Sequence, residues 1–267
     1  MAVNEDPDNR TPPDRHPLTV SGARWQRYVW SRRARTWDQH SSPALSNVTS
    51  AVLAAATVRP DDAVLDLGCG TGQISLPLAA QGAAVLGVDV SPAMADRLQA
   101  EARRQGLRKV TAVAVPIEKL ALEPARFDLI VSSYALHHLR DPDKARLVRA
   151  CYDWLRPGGR LVIADMMLGR GSSARDREII RAKLGTLARR GPGGWWRIAK
   201  NAVRYLVRVQ ERPVSMAAWT TLCEAAGFAP VAAFPIVAEA GLVTARRPPA
   251  PPPQLAGQRT APRAVRQ

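Results

Sequence analysis

The sequence predicts an α/β fold: a seven-stranded, mostly parallel sheet with helices on both faces. Two features predict it. Short apolar runs recur along the chain, at Val64–Leu67, Val85–Val88, Val110–Val115, Phe127–Ser132 and Arg160–Ala164. Patterns with helical spacing lie between most of them, and strands alternating with helices indicate parallel crossover units. The second is a glycine turn, Gly68-Cys69-Gly70-Thr71-Gly72, set between the first apolar run and a helical pattern from Ile74 to Ala80 that Gly82 stops. Strand, glycine turn and helix start together form a geometry in which backbone comes close to a ligand.

The elements follow in order. Residues 1–17 are rich in Pro, Asp and Arg and are expected to be disordered. Trp25, Tyr28, Trp30 and Trp37 then cluster among arginines, a pattern expected to form an N-terminal helix, with Trp37-Asp38 as a candidate wall of a ligand site. Leu45–Thr57 carries a second helical pattern, with Leu45, Val48, Val52 and Leu53 apolar. Ser91-Pro92 reads as an N-cap with proline at the first helical position, and Gly106 ends that helix. Asp141-Pro142 is expected to cap the next helix, with Ala145, Val148, Cys151 and Leu155 on its apolar face. Pro157-Gly158-Gly159 is expected to turn into the fifth strand. Residues 168–213 exceed the repeating pattern. They hold the capping box Ser173–Asp176, the turn Gly191–Gly194 and a helical stretch from Trp195 to Val209. They are expected to form a helical cap over the carboxyl ends of the strands. Ser215 caps a helix that Gly227 ends, Ala229–Phe234 and Gly241–Ala245 make a final strand pair, and residues 247–267 are a Pro- and Arg-rich tail. The main domain is therefore placed at 18–246.

The glycine spacing narrows the ligand. A dinucleotide fingerprint runs G-x-G-x-x-G, whereas here the run is Gly68-x-Gly70-x-Gly72. Asp66, an acid beside the turn, would repel a pyrophosphate. A second acid, Asp89, ends the second apolar run, 17 residues after Gly72, where a carboxylate can accept from ribose hydroxyls. The ligand implied has a ribose and a cationic part but no phosphate to cradle.

Four segments carry a family resemblance. Val64–Gln73 resembles the first motif of class I S-adenosylmethionine-dependent methyltransferases, and Val85–Met94 resembles their second. Phe127–Leu139 and Leu155–Asp165 are similar to their fourth-strand segment and the turn into their fifth strand. The similarity is greatest to the small-molecule branch that includes enzymes of quinone biosynthesis. The resemblance implies a Rossmann-like fold, S-adenosylmethionine as cofactor, and methyl transfer to the oxygen, nitrogen or carbon of a small acceptor. It places Asp66, Gly68, Cys69, Gly70, Asp89, Val90, Pro116, Ile117 and Ser133 around the donor. At the tip of the third strand the family usually has an acid, which holds the adenine amino group. Pro116 stands there instead, leaving the backbone N–H of Ile117 for an adenine ring nitrogen.

Composition adds bounds. The 267 residues are 46% hydrophobic, enough for one α/β domain with a core. Cysteines at 69, 151 and 223 have neither disulfide-framework nor metal-ligand spacing, and no apolar run reaches the length of a membrane span. A cytoplasmic enzyme is the expectation, without a metal. The net charge of +15 raises nucleic acid as an alternative acceptor. Much of that excess falls in the arginine-rich stretch 172–212 and in the tail, where a solvated basic face explains it equally. Neither the Asn-Pro-Pro-aromatic signature of base-amine methylation nor a nucleophilic cysteine motif is present. A nucleotide-dependent oxidoreductase and a non-catalytic binder of the same cofactor are the other readings.

Chemistry is sparsely written. The donor is already activated, so the protein must align acceptor, methyl and sulfur and exclude water. A weakly acidic acceptor would benefit from a base. His137 is the expected base, with His138, Asp165 and His40 as weaker candidates.

Overall fold

A computed structural model describes residues 27–31, 43–169, 174, 176–178, 181–182, 212–237 and 239–250. Expectations for the N-terminal 17 residues, Trp25, Trp37-Asp38, His40, the stretch from Trp195 to Val209 and the tail beyond 250 lie outside the described residues. Residues 174, 176–178 and 181–182 are helical, in keeping with the capping-box reading at Ser173–Asp176.

The elements are α1 (Pro43–Ala56), β1 (Ala63–Leu67), α2 (Ser75–Ala80), β2 (Ala84–Asp89), α3 (Pro92–Arg104), β3 (Val110–Ala114), β4 (Phe127–Ser133), α4 (Asp141–Trp154), β5 (Leu155–Met166), α5 (Met216–Ala225), β6 (Val231–Pro235) and β7 (Ala240–Arg246). Residues 27–31 form a short helical turn ahead of α1. One sheet of seven strands runs in the order β3-β2-β1-β4-β5-β7-β6. The first five strands are mutually parallel, and β7 lies antiparallel between β5 and β6.

Strand alternation divides the core into two layers. Leu65, Leu67, Ile130, Leu161 and Ile163 point to the face covered by α4 and α5, through Leu147, Val148, Trp154 and Trp219. Val64, Leu129, Val131, Val162 and Ala164 point to the other face, covered by α1, α2 and α3 through Val48, Val52, Leu78 and Leu98. The strands are buried on both faces, as parallel sheets require, so they read as continuous apolar runs. Ser91 caps α3 by accepting the Met94 N–H at 3.3 Å, and Ser215 caps α5 by accepting the Ala218 N–H at 3.2 Å, both as the sequence predicts.

Two expectations need correcting. Asp141 is not the cap of α4; Arg140 occupies the N-cap and Asp141 and Pro142 are the first helical residues. The buried face is Asp143, Lys144, Leu147, Val148, Cys151 and Trp154, with Ala145 exposed and Leu155 already in β5. Arg140 and Arg146 pair with Asp143, and Lys144 is neutralised by oxygen partners, so these charges can lie inward. The fifth strand also begins earlier than expected. Pro157–Gly159 is absorbed as an irregularity in the β4–β5 pairing between Phe127 and Leu129 rather than forming a separate turn.

The order of strands reverses at β1, whose neighbours are β2 and β4. Their chains diverge at their carboxyl ends and leave a crevice there, the usual ligand position in open α/β sheets.

Candidate functional site

A cavity of about 900 Å³, mouth included, occupies that crevice. Its floor is the glycine turn. Gly68, Gly70 and Gly72 all have positive φ, at 79°, 53° and 100°, a region that costs little only for glycine. Their roles differ. A Cβ on Gly68 would stand 2.2 Å from the Cβ of Ala135, and one on Gly72 would stand 2.5 Å from Leu98 Cδ1. These two glycines let the turn pack against β4's loop and against α3. A Cβ on Gly70 would meet nothing within 4 Å, because Gly70 faces the cavity.

The turn's N–H groups go elsewhere than expected. Gly68 and Cys69 both donate to the Val88 carbonyl, at 2.7 and 3.0 Å, and Gly72 donates to Cys69 at 3.0 Å. Gly70 donates to Asp89 Oδ2 at 3.0 Å. The loop therefore does not present these donors as a phosphate cradle, which argues against a pyrophosphate ligand. It brings backbone close to the ligand and leaves recognition to carboxylates.

Two such carboxylates reach the cavity. Asp66, 1% exposed, is the last residue but one of β1 and accepts the Ser75 hydroxyl at 2.6 Å. Burial pushes its pKa up to about 7, with the Ser75 hydrogen bond opposing and the Asp89 charge adding to the rise. Asp89, at the tip of β2, accepts the Gly70 N–H and the Ser91 N–H, the latter at 2.8 Å. Burial also raises its pKa, opposed by those backbone donors. Each carboxylate oxygen can accept more than one hydrogen bond, so both acids can still receive donors from a ligand.

The remaining walls come from three other elements. After β3, Ile117 and Glu118 line the cavity from a short 3₁₀ turn, while Pro116 is not among its lining residues. From the end of β4 come Ser133, Tyr134 and Ala135, followed by His138 and Leu139. Over the mouth lies Trp30, from the helical turn 27–31. Its ring stands edge-on to His138, with centroids 5.7 Å apart. The neighbouring Ser31 hydroxyl meets the Ser91 hydroxyl at 2.9 Å. The N-terminal turn thus spans from the cap of α3 to the loop after β4.

Of the residues expected around the donor, Asp66, Gly68, Cys69, Gly70, Asp89, Val90, Ile117 and Ser133 line this one cavity. It does not bring His137 to the cavity. His137 is buried, and its Nδ1 meets Asp165 Oδ1 at 2.5 Å while its backbone N–H donates to Asp165 Oδ2 at 2.7 Å. The 3₁₀ turn Leu136–His138 turns successive side chains in different directions, so one histidine enters the core and the next meets the cavity.

Sequence reasoning missed Tyr134 and Glu118 as wall residues. Tyr134 has φ +51°, an uncommon value for an aromatic residue and a form of backbone strain that clusters at ligand sites. Burial raises its phenol to about 12, helped by the charges of Glu239 and Asp165. The acid expected at position 116 is absent, but Glu118 two residues on lies in a turn short enough to reach the same wall. Its presence directly after Pro116-Ile117 was the available signal.

Cys69, Cys151 and Cys223 are free and buried, and burial raises all three thiols. Among the described residues no cluster of acid, histidine and cysteine side chains could hold a metal, and no helix is long and apolar enough to cross a membrane.

Residues 64–159 match the family described as "Methyltransferase domain". The chain is 33% identical over 132 residues to a ubiquinone biosynthesis O-methyltransferase of Xylella fastidiosa, covering 48% of this chain and 53% of that protein. It is 42% identical over 100 residues to the protein of the same name from Bordetella pertussis, covering 36% and 39%. The chain thus spans about half the length, or less, of the curated relatives it matches. Among solved structures, phosphoethanolamine N-methyltransferase 2 of Haemonchus contortus, in complex with S-adenosyl-L-methionine, superposes with a TM-score of 0.65 at 17% identity. That match covers 86% of this chain and 60% of that one, and it speaks for the fold alone. Residues 64–159, which include the glycine turn and the two strand-tip acids, are thus similar to a methyltransferase domain, within a fold that solved methyltransferase structures share.

Proposed function

We propose that the chain transfers the methyl group of S-adenosylmethionine to a small organic acceptor. One observation carries the reading. A single cavity joins a wall of carboxylates suited to the donor, Asp66, Asp89 and Glu118, to a wall of Trp30, Tyr134 and His138 suited to an acceptor. Between them lies Gly70, with open space where a side chain would stand.

When bound, the donor supplies an activated sulfonium methyl group, and the transfer is an in-line displacement. The chain's residues would do the rest. Asp89 accepts from the ribose hydroxyls while holding the Gly70 N–H. Asp66 faces the donor's ammonium group. Glu118 supplies the carboxylate for the adenine amino group that Pro116 cannot, with the Ile117 backbone beside it. Ser133 and Ala135 would complete the donor's wall from the end of β4. Trp30 and Leu139 exclude water, which strengthens every electrostatic contact inside.

The relatives' name, ubiquinone biosynthesis O-methyltransferase, supports an oxygen acceptor on a quinone-like ring. The chemistry of the walls agrees. Among the described lining residues there is no lysine or arginine, so a neutral acceptor fits better than a phosphate or carboxylate. The segment 168–213 is proposed as a cover for the acceptor side. In support, its entry is tied at the end of β5, where Gly169 N–H donates to the buried Asp176 at 3.0 Å. Its exit is tied beside the histidines, where Arg212 N–H donates to the His137 carbonyl at 2.6 Å.

Calorimetry tests the donor first: S-adenosylmethionine and its demethylated product should bind and NADH should not. Transfer of labelled methyl is then measured on neutral hydroxyarenes and on RNA. Turnover restricted to RNA, with affinity falling steeply as salt rises, would replace the small-molecule reading.

A further inference from the structure

We propose that His138, rather than His137, takes the proton of a hydroxyl acceptor, and that His137 and Asp165 are positioning residues that hold it there. The inference rests on the methyl-transfer reading and adds the group that manages the proton.

The two rings lie 4.0 Å apart, tilted by 46°. The inner ring is fixed. Asp165, 1% exposed, receives the His137 ring nitrogen, the His137 backbone N–H and the Met166 backbone N–H, the last at 2.7 Å. A carboxylate engaged three times over cannot swing away, so His137 is locked in orientation and is the floor on which His138 rests. The outer ring is half-buried, lines the cavity and is met edge-on by Trp30.

The turn carrying both rings is braced from behind. Lys144 is fully buried, and its Nζ donates to the Leu139 and Arg212 carbonyls, each at 2.7 Å, and to Asp141 at 3.2 Å. A cation needing three oxygens fixes the end of the histidine turn more strongly than backbone bonds alone.

Elimination leaves His138 as the acceptor-side base. Tyr134 shares that wall, and its buried phenol keeps its proton through the neutral range, so it donates rather than accepts. The titratable group beside His138 on its own turn is His137, which Asp165 on β5 holds, and Tyr134 at the end of β4 and Glu118 after β3 share the cavity lining with it.

The step balances. The acceptor's O–H bond breaks and its proton moves to an imidazole nitrogen of His138. The freed oxygen pair forms the new C–O bond to the methyl carbon. The C–S bond breaks with its electrons passing to sulfur, which leaves neutral. The proton is then lost to water.

The test uses the full chain, S-adenosylmethionine and 4-methylcatechol as a neutral probe. His138→Gln should lower kcat by about 100-fold or more, within the usual range for a lost general base, while calorimetric donor affinity stays within about twofold. His138→Ala should regain part of its rate when free imidazole is added, which a merely structural role would not allow. Equal kcat and an unchanged pH profile in His138→Gln would overturn the proposal and leave methyl transfer standing. A second readout needs no turnover. The chain has only four histidines, and the ring resonance of His138 is assigned by its loss in His138→Gln. It should shift when 4-methylcatechol is added beside S-adenosylhomocysteine. A resonance insensitive to that addition overturns the placement whatever the turnover. A resonance that responds in a chain that methylates no hydroxyarene overturns the methyl-transfer reading instead.

Discussion

Replacing Asp66 by Asn should stabilise the ligand-free fold and weaken donor binding, and both effects should grow as pH rises. Asp66 is buried near the end of β1 and its pKa is raised from 3.8 to about 7, chiefly by burial. The sign follows from proton binding. Between those two values the folded state keeps a proton that the unfolded state has lost, so stability falls as pH rises from about 4 to about 7 and is level above. One pKa unit corresponds to about 1.4 kcal/mol. The penalty is therefore about 2 kcal/mol at pH 5 and about 4 kcal/mol at pH 8.5. Asn keeps the shape and an oxygen for the Ser75 hydroxyl, now 2.6 Å from the carboxylate, and cannot ionise. Urea unfolding of both proteins at the two pH values supplies the test. The variant's advantage should grow by about 2–3 kcal/mol from pH 5 to pH 8.5, the other carboxylates cancelling in the double difference. An advantage independent of pH would refute the buried-carboxylate argument. Donor affinity of the wild type should also rise with pH through 7, because an ammonium group favours ionised Asp66. Calorimetry in buffers of different ionisation enthalpy would register the released proton. The variant should lose that dependence.

Asp89→Ala should weaken donor binding by about 1–3 kcal/mol, since it removes an acceptor for ribose and frees the buried Gly70 and Ser91 N–H groups; unchanged calorimetric affinity in a folded variant would remove the ribose assignment. Gly70→Val should abolish donor binding while the chain still folds, because φ +53° and the cavity, not neighbouring atoms, oppose the side chain; normal methyl transfer by it would refute the turn's role. Gly68→Ala should instead lower the midpoint of thermal unfolding, since its Cβ would overlap that of Ala135; circular dichroism measures this. Deleting residues 172–210 with a short linker should cut turnover while leaving donor affinity, and an unchanged rate would exclude a covering role for that segment.

What the sequence by itself determined follows from local rules. Parallel strands buried on both faces must be continuously apolar, so Val64–Leu67, Val85–Val88 and Phe127–Ser132 were legible as strands. Caps and stops are equally local: Ser91-Pro92, Ser215, Gly106 and Gly227 all stand at helix ends as read. The acidic side of the cavity was legible for the same reason, because Asp66, the glycines and Asp89 sit near strand tips whose positions follow from the pattern.

Only the tertiary structure decided the rest. Which of two adjacent histidines faces the cavity depends on how one short 3₁₀ turn is rotated against Asp165, a residue 28 positions away. No period along the chain encodes that rotation. The inward charges Asp143 and Lys144 broke the apolar pattern of α4, since a buried charge is stable only where partners such as Arg146 and the Arg212 carbonyl converge on it. The glycine turn's N–H groups looked available in sequence, yet folding hands them to Val88, Cys69 and Asp89. Backbone donors inside a core must find acceptors, and which acceptors lie within reach is settled by strand order, not by the residues of the turn.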